Sequence, residues 1–232
     1  MEKYLKYLNK NNYSKATIQT YSNVLKQYEI FWGDIRKIKK KLFTYLKSPN
    51  TIWTHYNILC AFMRFKNDKR LNNLKEIKLP AIPKIYMPVF SKEFLMEKTK
   101  DQSKYKNVVI RFLFETGIRA SELQSIIRIK GDTILLKGKG AKIREIFHNP
   151  NTTKFFKGFN FTSKTLRLWV KDVLGREYTP HSIRRSHATH MLLKGANPKM
   201  VMLQLGHSKI ETTYRYLHMS KSQNRKIYNK YF

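Results

Sequence analysis

Through the first 78 residues, apolar side chains recur every three or four positions, the spacing that lines one face of a helix. Ile18, Tyr21, Leu25 and Tyr28 make one such face behind Ser14, whose hydroxyl is suited to cap the first turn. Ile52, Tyr56, Leu59 and Met63 make another, entered from Pro49. A short helix over residues 4–8 and one over residues 35–46 complete an all-helical first domain, in which Gly33 is the only glycine. The pattern then breaks. Pro80, Pro83 and Pro88 each fix φ and hold the preceding residue in extended conformations, so residues 79–90 are expected to form a linker between domains spanning 1–78 and 91–232.

Beyond the linker, Ser91 is placed to cap a helix with Glu93 in its first turn, and residues 107–115 form an apolar helix that stops at Gly117. The spacing predicts another helix over 120–127. The period then changes to two: residues 133–136 and 142–147 read as strands joined by the glycine-bearing turn 137–141. Helical patterns return over 162–174, 180–194, 198–205, 209–217 and 221–231. The chain is thus expected to be mainly α, with a small antiparallel β-sheet in its C-terminal domain.

Charge narrows the function. Forty-seven Lys and Arg oppose fifteen Asp and Glu, a formal net charge of +32. A compact fold carrying that much self-repulsion gains from a polyanionic partner, and nucleic acid is the commonest. A coding bias toward Lys and Asn would not by itself deplete the acidic residues. In the first domain, Arg36, Lys37, Lys39, Lys40 and Lys41 lie among aromatic residues, a composition that suits phosphate tracking. Cys60 is the single cysteine, which excludes an internal disulfide and a cysteine-based zinc site and fits a reducing, cytoplasmic or nucleoid-associated setting. The N-terminus lacks a signal-peptide apolar core, and apolar runs such as Val108-Val109-Ile110 are far too short for a bilayer, so no membrane partner is expected.

Residues able to do chemistry gather at punctuated positions. Thr179 followed by Pro180 marks a helix start, which puts His181 and Arg184 on one face near its positive end, a natural phosphate site. Asn197-Pro198 opens a short helix ending at Gly206, with His207 just beyond. Ser208 to Glu211 has the form of a capping box, so Tyr214 and Tyr216 fall on the next helix. Two residues apart, they point to roughly opposite faces, and at most one addresses a common site. Arg119 follows Gly117 in a turn, and Lys139 sits between Gly138 and Gly140 at the hairpin tip. That tip lacks the P-loop pattern, so nucleotide binding is not indicated.

Together these segments resemble the tyrosine recombinase (phage integrase) family, in its Xer-like simple branch. Thr116-Gly-Ile-Arg-Ala-Ser-Glu-Leu123 is similar to the family's first conserved box. His181-Ser-Ile-Arg-Arg-Ser-His-Ala-Thr-His190, then Leu205-Gly-His-Ser208 and Thr212-Thr-Tyr-Arg-Tyr216, are similar to the second. The resemblance implies a two-domain, C-shaped clamp on DNA, with a helical core-binding domain before the catalytic one. It also implies that Arg119, Lys139, His181, Arg184 and His207 surround a backbone phosphate and that Tyr216, rather than Tyr214, is the nucleophile. Glu122 falls where the family carries an acidic residue supporting the first arginine. Arg185 and His187 depart from common family residues at positions outside the catalytic set.

The implied reaction suits these side chains. Two guanidiniums neutralise a phosphodiester under attack and stay charged throughout. A phenol with a pKa near ~10 needs a base, for which His181 is best placed, and Lys139 can protonate the departing 5′-oxygen. A 3′-phosphotyrosine retains the bond energy, so no ATP, metal or other cofactor is expected. The expected partners are double-stranded DNA, further copies forming a tetramer on two sites, and a possible partner recombinase or accessory factor. Two other readings are a DNA-binding protein of the same fold that no longer cleaves, and a metal-dependent nuclease using His181, His187 and His190. The second is weakened by the scarcity of nearby Asp, Glu and Cys.

Overall fold

The computed structural model describes residues 1–44, 46, 48–83, 88–138, 142–214 and 229. The chain divides into two units, residues 1–85 and 86–232. Unit 1 is helical: α1 (Glu2–Lys10), α2 (Lys15–Tyr28), α3 (Ile35–Thr44), α4 (Pro49–Phe65) and the short α5 (Leu71–Lys75). Ser14 caps α2 by accepting the Thr17 N–H at 3.1 Å. The apolar stripes of the four longer helices meet in one core around Leu8, Leu25, Tyr28, Ile38, Leu42, Leu59 and Met63. The phenol of Tyr28 has a buried partner at 3.1 Å in Nδ1 of His55, which satisfies both polar groups inside that core.

Unit 2 is built around α7 (Tyr105–Thr116), whose Val109, Ile110, Phe112 and Leu113 are almost wholly buried. Ser91 caps α6 (Lys92–Lys98) by accepting the Phe94 N–H at 3.2 Å. Helices α9 (Ser163–Leu174) and α10 (Pro180–Leu193) pack on α7, contributing Leu166, Val170 and Ile183 to the same core. The remaining side is closed by β1 (Ile126–Lys130), β2 (Thr133–Lys137) and β3 (Ile143–Phe147), an antiparallel sheet in the order β1-β2-β3. Ile134 pairs with Ile146 and Leu136 with Arg144, which sends alternate side chains inward. A short helix, α8 (Pro150–Thr153), follows the sheet. Ala188 and Leu192 of α10 pack with Val201 and Leu205 of α11 (Pro198–Leu205).

One sequence expectation fails here. Residues 120–127 do not form a helix: Ala120–Ser125 is a 3-10 turn, and the chain is already in β1 from Ile126. The β-branched run Ile126, Ile127, Ile129 takes up the unpaired edge of β2, which local helical spacing does not report. Gly131, at φ 58°, makes the β1–β2 turn possible. Toward the C-terminus, α12 (Glu211–Tyr214) begins two residues later than predicted, and the rest of that helix lies outside the described residues. So does the predicted 221–231 helix, apart from Asn229. Among the described residues, no helix is long and apolar enough to cross a membrane.

Candidate active site

The site begins where α7 stops. Gly117 adopts the left-handed conformation at φ 64° and donates its N–H to the Leu113 carbonyl at 3.0 Å, ending the helix. A Cβ here would lie 2.4 Å from Cδ2 of His187, so the turn needs glycine for space as well as for φ. His187 packs as an aromatic ring would: it is buried and stands edge-on to Phe114. Its Nδ1–H donates to the Phe114 carbonyl at 2.6 Å. Burial, only partly opposed by that bond, pushes its pKa down to about 4.

Arg119 leaves this turn in extended conformation, and Glu122 curls back on it. The Glu122 carboxylate accepts the Arg119 backbone N–H at 2.8 Å and its Nη1 at 2.9 Å. From β3, Arg144 donates Nη1 and Nη2 to the two oxygens of the same carboxylate, at 2.8 and 2.9 Å. Glu122 is only 3% exposed. Burial by itself raises a carboxyl; here the Arg144 hydrogen bonds, the Arg119 N–H and the adjacent guanidinium charges outweigh it and bring the pKa to about 2.

Thr179 caps α10 as predicted, accepting the Ser182 N–H at 3.3 Å while the Ser182 hydroxyl accepts the Thr179 N–H at 3.2 Å. Arg184, one turn into the helix, is 2% exposed. Its Nη1 donates to the Gly117 carbonyl at 2.8 Å and its Nη2 to the Leu205 carbonyl at 2.6 Å. The C-terminus of α11 thereby becomes the hub of the site. Its last carbonyls lack partners within the helix and carry the negative end of its dipole. Guanidiniums take them up: Arg184 and Arg144 at Leu205 O, and Arg119 at Gly206 O, the last at 3.2 Å. Gln204 fastens the same helix end to the sheet, accepting the Phe147 N–H at 3.0 Å and donating to the Phe147 carbonyl at 2.7 Å.

Asn197 caps α11 and Gly206 ends it at φ 65°, so His207 follows at the predicted place. Its Nδ1 lies 2.9 Å from the hydroxyl of the fully buried Thr213. Burial first, then the charges of Arg184, Arg119, His181 and Arg144, lower the His207 pKa to about 4. His181 sits at an open cleft of about 400 Å³ that it shares with Arg119, Arg184, Ser121, Ser163 and Arg167. Its pKa is lowered by desolvation and by Arg185, Arg184 and Arg119. His207 is therefore neutral near pH 7 and His181 is shifted toward its neutral form, beside two fixed positive charges.

Four of the six predicted residues, Arg119, His181, Arg184 and His207, thus gather at one place. The other two, Lys139 and Tyr216, lie outside the described residues; the hairpin base below Lys139 is closed by the Gly138 N–H to the Lys142 carbonyl at 2.8 Å. Tyr214 is 48% exposed. Sequence reasoning missed Arg144. Its signal was a charged residue in register with the inward-facing Ile146 of β3. Among the described residues, no group of three or more His, Cys, Asp or Glu is placed to hold a metal ion.

Two guanidiniums and His181 at an open cleft, with His207 close behind them, make a strongly positive site suited to an anion. Comparison with known proteins shows what the chain is similar to. Residues 157–223 match the model of the phage integrase family. Tyrosine recombinase XerC of Staphylococcus aureus (strain NCTC 8325 / PS 47) is 27% identical over 270 aligned positions, covering 94% of this chain and 90% of the relative. In fold, the chain is similar to XerH site-specific recombinase bound to palindromic difH substrate in a post-cleavage complex. That match has a TM-score of 0.69 at 21% identity, over 97% of this chain and 82% of the other. It is also similar to the Tn1549 transposon integrase in complex with transposon right end DNA, with a TM-score of 0.71 at 18% identity, over 98% and 97% of the two chains. The chain is thus similar to tyrosine recombinases, in sequence over most of its length and in fold.

Proposed function

We propose that this protein is a site-specific DNA recombinase that cleaves and rejoins strands through a 3′-phosphotyrosine. One observation carries the reading: Arg119 and Arg184 are held by Glu122 and by backbone carbonyls at a cleft shared with His181. Guanidiniums fixed before substrate arrives do not need to reorganise as negative charge grows on the phosphate. In this reading they bind the non-bridging oxygens, with His207 as a further donor. The Tyr216 phenolic oxygen attacks phosphorus as its proton passes to neutral His181, the bond to the 5′-oxygen breaks, and Lys139 protonates the departing oxygen. Rejoining is the reverse, with the 5′-hydroxyl attacking the phosphotyrosine and the phenol leaving. Unit 1, rich in Lys and Arg among aromatics, serves as the core-binding domain along the DNA backbone. Assembly as a tetramer on two duplexes, with or without a partner recombinase, and action on cytoplasmic DNA complete the proposal.

The test uses duplexes enriched from a random pool by binding to the full chain, with nicks tiled across them so that a cleaved fragment diffuses away. Metal-free incubation is followed by denaturing electrophoresis. A protein–DNA adduct is expected from the parent and from Tyr214→Phe, and none from Tyr216→Phe. Tight binding without an adduct on any nicked duplex would instead favour a silent DNA-binding protein. An adduct lost only in Tyr214→Phe would reassign the nucleophile.

A further inference from the structure

Arg144 occupies a position where strand alternation calls for an apolar side chain. It pairs with Leu136 in register and shares the inward side of β3 with the fully buried Ile146. A guanidinium there is costly unless its donors are used, and most of them are. Two reach the oxygens of Glu122, and Nη2 also approaches the Leu205 carbonyl at 3.3 Å. The surrounding backbone is shaped to admit it. A Cβ on Gly138, at the hairpin base, would fall 2.7 Å from Nη1, and a Cβ on Gly206 would fall 2.7 Å from both Cζ and Nε. Two glycines, one before Lys139 and one before His207, thus form opposite walls of the seat for a single side chain.

We infer that Arg144 is a positioning residue for strand cleavage: it locks Glu122, which orients Arg119, and it sets the hairpin base and the His207 turn at a fixed spacing around that carboxylate. The side chain is 16% exposed and its Nε is buried, so it acts through its neighbours rather than on DNA. The inference rests on the recombinase reading above. Four chains of full length test it on the nicked duplexes: the parent, Arg144→Met, Glu122→Gln and the double variant. DNA affinity is expected to stay within about threefold of the parent, because no phosphate contact is removed. Adduct formation in a single turnover is expected to slow on the order of 100-fold in Arg144→Met, the effect of misplacing a catalytic group by about 1 Å. The double variant is expected to be no slower than the slower single one, since both changes break the same link.

A pH readout separates this role from a loss of general stability. Glu122 faces Arg119 from its own turn and Arg144 from β3, while the turn after α11 presents the Leu205 and Gly206 carbonyls to those guanidiniums. Without Arg144, a buried carboxyl keeps one charged partner instead of two and its pKa rises. Cleavage by Arg144→Met is therefore expected to show, beyond the acid limb that protonation of His181 gives every variant, a further acid limb that the parent does not share and that disappears when Glu122→Gln is added. Should Arg144→Met fail to fold, Arg144→Gln, which keeps one donor for Glu122, is read the same way. Parental cleavage rates in a folded Arg144 variant, effects of the two single changes that multiply, or a rate loss fully explained by weaker DNA binding would each overturn the inference. A parent that binds but forms no adduct would sink the recombinase reading and this inference with it.

Discussion

Replacing Glu122 by Gln removes one negative charge from between two guanidiniums while changing the shape of the side chain very little. The carboxyl is 3% exposed, and its pKa falls from an ordinary 4.5 to about 2. At ~1.4 kcal/mol per unit, that depression corresponds to roughly 3 kcal/mol of stability carried by the ionised form. Because the folded pKa lies below the unfolded one, this contribution is complete above about pH 4.5 and is lost as pH falls toward 2. Glu122→Gln is therefore expected to destabilise unit 2 by ~3 kcal/mol at pH 7, within the range found on breaking buried ion pairs. The difference from the parent should shrink steadily between about pH 4.5 and 2. Urea unfolding followed by tryptophan fluorescence measures it. A Trp32→Phe, Trp53→Phe background leaves Trp169, packed on the unit 2 core, as the sole reporter. Other titrating groups cancel in the difference between the two proteins. A difference that is flat in pH, or that is already near zero at pH 7, would refute the claim that the carboxylate charge holds this network together.

Three further outcomes follow from the same geometry. Gly117→Ala should cost clearly more than Gly131→Ala: both sites have positive φ, worth about 1–2 kcal/mol to a Cβ, but only at Gly117 does the new atom collide with the His187 ring. Thermal melts of the two variants compare them directly, and equal costs would mean that His187 moves aside freely. His207, with a pKa near 4, is neutral in the free protein at pH 6–7, and an anionic phosphate beside it raises that pKa. DNA binding should then take up protons and tighten as pH falls from 7 toward 5, an uptake reduced in His207→Ala; calorimetric heats that are identical across buffers of different ionisation enthalpy would exclude it. With a net charge of +32, log affinity for DNA should fall linearly and steeply with log salt concentration, and a shallow slope would remove phosphate contacts as the main source of binding.

The parts of this protein legible in its sequence are those decided within a few residues. Ser14, Ser91, Thr179 and Asn197 were expected at helix starts and are found as caps, because a cap bonds to an N–H two or three residues away. Gly117 and Gly206 end helices for an equally local reason, the freedom of φ. Strand β1 was misread because a strand is stabilised by its partner, and β2 supplies hydrogen bonds that helical spacing over 120–127 does not register.

The site divides along the same line. Local punctuation placed Arg119 after a glycine turn, His181 and Arg184 at a helix start, and His207 after a helix end. Only the folded chain decided what holds them. Glu122 meets Arg144 across 22 residues, Arg184 meets Leu205 across 21, and Arg119 meets Gly206 across 87. Side-chain types show which groups can bear charge. Whether two guanidiniums share a carboxylate, and whether a histidine there is neutral at pH 7, depends on burial and distance, which are set when the sheet and the end of α11 close over the same turn.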